Sequence, residues 1–186
     1  MKLGHQRNDL LRGVLSTIAL LVALTLATAG CSPETTAADP AANAQAASAT
    51  LDAGLKAHAA GDTATASNEY NTVLKYEPTN KFALYNLALI DAANANYGLA
   101  EQKYRLTLES DPAYEPALFN LAILQTTKNP KEAIALYERA VAANPKDAAA
   151  LLNLGLLLRT NGHKAKGDKY VLKAVALNPK LKDPRK

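Results

Sequence analysis

Residues 81–112 read KFALYNLALIDAANANYGLAEQKYRLTLESDP. Leu84, Leu87 and Ala88 stand at i, i+3 and i+4, which sets all three on one face of a helix. Ala100, Tyr104 and Thr107 follow at i, i+4 and i+7, as a second helix would space them. Small residues there let neighbouring helices approach, and the ring of Tyr104 fills the space beside them. Pro112 closes the stretch, because proline lacks an N–H and drives its predecessor out of helical angles.

The same phrase recurs on both sides. Leu118, Leu121 and Ala122, then Leu151, Leu154 and Gly155, repeat the first face; Ala133, Tyr137 and Ala140 repeat the second. Pro78, Pro112, Pro145 and Pro179 punctuate the chain at intervals of 34, 33 and 34 residues. A period near 34 predicts a solenoid of helix–turn–helix units.

Composition agrees with helices. The 186 residues are 48% hydrophobic but only 5% aromatic, with no Trp, so the apolar content is mostly Ala and Leu, which form helices readily and strands poorly. An all-β fold is disfavoured. With 21 Lys and Arg against 17 Asp and Glu, the formal charge of +4 is too small to indicate nucleic acid. One cysteine, Cys31, leaves no disulfide framework and no zinc ribbon.

The repeats resemble the tetratricopeptide repeat (TPR) family. That family carries a large residue at repeat position 4, Leu at 7, small residues at 8 and 20, an aromatic at 24, a small residue at 27 and Pro at 32. YNLA (85–88), FNLA (119–122) and LNLG (152–155) match, and a weaker first unit keeps phase through Gly54, Gly61, Ala66, Tyr70, Val73 and Pro78. The resemblance implies an all-α, right-handed α-solenoid of about four repeats, near 47–80, 81–114, 115–147 and 148–181, within a domain spanning 49–179. The third unit lacks one residue in its turn, at Lys128-Asn129-Pro130. The fourth has Gly167 where Ala is usual and Val171 where the aromatic is usual, so its second helix is expected to be looser or rotated. With only a basic tail (180–186) after Pro179, that helix should expose Lys164, Lys166, Lys169 and Lys173.

Residues 1–31 read as an export signal. Lys2, Arg7 and Arg12 form a positive start, and Gly13–Gly30 is uncharged and largely apolar. Small residues directly before Cys31 resemble the lipobox of bacterial lipoproteins, with Thr28 standing where Leu is commonest. The resemblance implies cleavage before Cys31, acylation of its thiol, and a domain held at a bacterial membrane outside the cytoplasm. An uncleaved membrane anchor is the alternative, and it gives the same topology. Residues 32–48, SPETTAADPAANAQAAS, are expected to be a flexible Ala-rich tether whose Ala-rich end can run into the first helix.

No catalytic constellation is visible. His5, His58 and His163 are scattered, and there is no metal-binding or phosphate-binding motif. No enzyme activity, cofactor, metal, nucleic acid or small-molecule substrate is expected. TPR proteins bind partner segments in a groove lined by the first helices. Repeat position 6, which borders that groove, reads Asp52, Asn86, Asn120 and Asn153. These resemble an asparagine ladder that holds a peptide backbone, or they support the fold. Phe82, Tyr85, Leu89, Phe119, Ile123, Leu152 and Leu156 would make the groove apolar, with Arg159 as a cation near its far end. The basic residues that a carboxylate clamp needs are absent, because Leu51, Leu55, Asn86, Pro116 and Asn120 occupy the corresponding positions. The expected function is thus a non-enzymatic adaptor for an unidentified protein or peptide. Charge suggests two alternatives. Residues 32–127 sum to −6 and 128–186 to +8; the lysines fall all round the helix, as a solubilising face would place them, but the basic end could also meet anionic lipid or wall polymer, or the ends of two copies could associate.

Overall fold

The computed structural model describes residues 40–183. The expected signal, Cys31 and the start of the tether lie outside them. Among the described residues there are eight helices and no strand. They form four pairs: α1 (Pro40–Ala59) with α2 (Thr63–Tyr76), α3 (Lys81–Ala93) with α4 (Tyr97–Ser110), α5 (Glu115–Lys128) with α6 (Pro130–Ala143), and α7 (Ala148–Thr160) with α8 (Lys164–Leu177). The second helix of each pair then packs on the first helix of the next.

Residues 40–48 are helical rather than tether. Alanine is the best helix former, and Ala47 finds burial against α2 and α3, in a cluster with Ala66, Tyr70, Val73 and Leu87.

Local sequence sets the ends. Asp62, Asn80, Asn129 and Asp147 cap α2, α3, α6 and α7 by accepting backbone N–H groups that the first turn leaves unpaired. Three first helices end alike. Gly61, Ala95 and Gly162 take positive φ, and the next residue's N–H reaches back to Ala57, Asp91 and Leu158 respectively. That is the Schellman closure, which favours glycine. In the third repeat, one residue shorter, Asn129 ends α5 and starts α6, with Pro130 in the first turn.

The core runs between the layers. Leu118, Leu121, Leu154, Ala100, Ala133, Tyr104 and Tyr137 join one buried cluster. Thr107 is buried beside it, its hydroxyl donating to the Lys103 carbonyl at 2.9 Å.

The fourth pair differs from expectation. A Cβ built on Gly155 would meet the Gly167 oxygen at 2.8 Å, and one on Gly167 would meet the Gly155 oxygen at 2.5 Å. The two backbones therefore touch, and α8 is neither loose nor rotated. Val171 is buried where the other second helices bury Tyr, and Tyr170 packs against the core edge. Two glycines replace a ring as the means of filling that space.

Candidate functional site

The first helices α3, α5 and α7 carry the candidate residues, and contacts between repeats join them into a row. Phe82 is 44% exposed and meets Tyr114 edge to face, with ring centroids 6.1 Å apart. Tyr85, half-buried, packs at 5.3 Å on Tyr114 and 6.0 Å on Tyr104. Lys81 lies over the rings of Phe82 and Tyr114 at 5.2 and 5.4 Å while its ammonium bonds Asp111 at 2.6 Å. Phe119 meets Tyr137 at 5.8 Å. Farther on, Ile123, Thr126, Tyr137, Asn153, Leu156 and Thr160 surround an open hollow, with Ile123 46% exposed. Leu89 and Leu152 are half-buried, and Asp52 is exposed on α1.

The asparagines are partly committed to the fold. Asn86 donates to the Phe82 carbonyl at 2.8 Å. Asn120 donates to the Pro116 carbonyl at 2.9 Å and to the Tyr85 hydroxyl of the preceding repeat at 3.1 Å. Asn153 hydrogen-bonds the Tyr137 hydroxyl. Burial raises the Tyr85 and Tyr137 hydroxyls above the ordinary phenol value, so both stay protonated. The row therefore sets amide and hydroxyl groups into an apolar strip, and the Lys81 ammonium at its start is paired with Asp111.

Arg159 does not serve as the expected groove cation. Its side chain is 7% exposed. Nε donates to Asp168 at 2.6 Å, and both terminal nitrogens donate to Asp183, at 2.7 and 2.9 Å. Asp183 lies 24 residues away, beyond any helical period.

Two residues outside the sequence reading also matter. Tyr114 bridges Phe82 and Tyr85 from the loop before α5. A loop residue has no periodicity, so only its place two residues after Pro112 hints at it. Glu115, first in α5, neighbours the carboxylate of Asp147, the cap of α7. Burial first, then that neighbouring carboxylate, pushes the Glu115 carboxyl up to about 7.

Among the described residues, no His, Cys, Asp and Glu gather in threes as a metal would need. None of the helices described is long and apolar enough to cross a membrane.

A tetratricopeptide repeat family model matches residues 51–115 and 124–180. A comparison with curated proteins finds no match. Among solved structures, PilF of Pseudomonas aeruginosa is similar at 24% identity and a TM-score of 0.65, over 75% of this chain and 64% of that one. MamA (41-end) from Desulfovibrio magneticus RS-1 is similar at 24% and 0.64, over 73% and 77%. A variant of the Thermobaculum terrenum O-GlcNAc transferase is similar at 23% and 0.63, over 72% of this chain but 26% of that one. At these identities the likeness is one of fold.

Proposed function

Because the chain belongs to the tetratricopeptide repeat family, a fold that serves as a protein–protein interaction scaffold, we propose that it is a non-enzymatic adaptor holding a partner's segment along α3, α5 and α7. The observation that carries this reading is the composition of that row. Phe82 and Ile123 stand open, asparagine and hydroxyl groups lie among them, and the nearby cations are paired, Lys81 with Asp111 and Arg159 with Asp183. Such a strip suits an uncharged segment with aliphatic or aromatic anchors. Asn120 has two amide hydrogen bonds within the fold and Asn86 one, which leaves their carbonyl oxygens to accept N–H groups from a bound backbone.

The proposal includes the address. The signal-like start and Cys31 support an exported domain tethered by lipid to a bacterial membrane, with the partner outside the cytoplasm.

A photoreactive residue at Ile123, compared with one at exposed Leu99, tests the groove in cells. A partner captured from Ile123 alone, and lost on adding Phe82→Ser and Leu156→Ser, supports it. The same proteins captured from both positions sink it.

A further inference from the structure

In each of the first three pairs the second helix is covered by the helix that follows, whereas α8 is followed among the described residues only by residues 178–183. Six of its eight exposed residues form a single stripe. Ala165, Lys169, Leu172, Lys173, Ala176 and Leu177 are all exposed, within an arc of about 140° at the helical rotation of ~100° per residue. Leu172 is 60% exposed and Leu177 47%.

The charge of this face is uncompensated for a structural reason. Residues 160–183 hold two carboxylates, Asp168 and Asp183, and both are turned onto the buried Arg159. Lys164 shares Asp168, and Lys166 pairs with Glu138. Lys169, Lys173, Lys180 and Lys182 make no ion pair among the described residues, and the sequence adds Arg185 and Lys186. The result is a cationic face with leucines set into it.

We propose that this face docks on an anionic lipid bilayer. Lysines at headgroup level with leucines reaching the acyl boundary are how an amphipathic helix lies on a charged membrane. A second copy answers the charge poorly. The exposed side of α1 offers Ala49, Ala53 and Lys56, and Asp52 is that helix's sole carboxylate. The uncharged stretch 13–30 reads as membrane-directed, which supports a bilayer as the nearby anionic surface. This surface is separate from the groove, so either assignment can fail alone.

The test is amine footprinting of the full chain bound to phosphatidylglycerol vesicles and, separately, to phosphatidylcholine vesicles. Acetylation of Lys169 and Lys173 should slow about tenfold on the anionic vesicles only, recover in 0.5 M salt, and leave exposed Lys75 and Lys131 unchanged. Because each lysine is read separately, attachment through the N-terminus does not mask the result. Leu172→Ser should halve the protection at Lys169 or more while the melting temperature holds. Equal labelling on both vesicle types overturns the proposal. So does protection without vesicles that grows with protein concentration, which would mark a second copy, or protection that only an added acidic protein produces.

Discussion

Asp183 closes over the end of the solenoid by placing both carboxylate oxygens on Arg159, at 2.7 and 2.9 Å, from 24 residues away in sequence. The pair is nearly dry, with side chains 11% and 7% exposed. Removing one partner would leave a buried charge short of a counter-charge. Asp183→Ala should therefore cost about 2 kcal/mol, less than a lone pair would, because Asp168 stays on Nε. Urea unfolding measures the loss. Hydrogen exchange should place it in α7 and α8, and a uniform loss across all eight helices would refute the assignment.

Gly167 makes that arrangement possible. A Cβ there would sit 2.9 Å from Arg159 Cγ as well as 2.5 Å from the Gly155 oxygen. Gly167→Ala should cost roughly 2–3 kcal/mol through overpacking against backbone, which cannot move aside as a side chain can. Gly98→Ala, with nothing within 4 Å, should instead stabilise by roughly 0.5–1 kcal/mol. Paired chemical denaturation curves give both signs.

Ala95 holds φ of 59°, where Gly61 and Gly162 hold 82° and 86° in the same turn. A Cβ is unfavourable in that region. Ala95→Gly should raise stability by about 0.5–1 kcal/mol, and Gly162→Ala should lower it by about the same amount. Equal melting temperatures for wild type and Ala95→Gly would show the turn to be unstrained.

The Glu115–Asp147 pair gives a pH dependence of definite sign. The folded Glu115 carboxyl titrates near 7, above its ordinary 4.5, so the folded state binds the extra proton. Its contribution is present at pH 5 and is lost as pH rises through 7. Discounted for partial exposure, it is about 1 kcal/mol. Wild type should lose this stability between pH 5 and pH 8 relative to Glu115→Gln. A flat difference between the two proteins would remove the pair as a titrating unit.

Cys31→Ser tests the address. Wild type from cell membranes should carry a lipid-sized mass on Cys31 and partition into detergent. The variant should show neither, and a wild type without added mass would end the lipoprotein reading.

Much of the fold could be read because each repeat asks the same thing of the same positions. Small residues at Ala88, Ala100, Ala122 and Ala133 and rings at Tyr104 and Tyr137 recur wherever one helix must nest on another, so the period survives in one sequence. Tyr85 and Asn120 belong to that series, and their hydrogen bond across repeats is its direct consequence. Tyr114 lies outside it, since a loop ring is placed by the two helices that it bridges. The helical start at Pro40 was legible as alanine content, whereas the burial of Ala47 against the first two repeats was not.

Sequence alone determined the helical class, the 34-residue period and the helix ends, because caps, prolines and i, i+4 faces act within a few residues of themselves. Tertiary structure decided where the charges went. Arg159 reads as an open cation on its own helix, yet it is buried, because Gly167 leaves room for its stem and two carboxylates from α8 and the following segment close on its head. Electrostatic pairing acts through space, so no local pattern in the chain could reveal that Arg159 is withdrawn from the groove or that both carboxylates of residues 160–183 turn onto it.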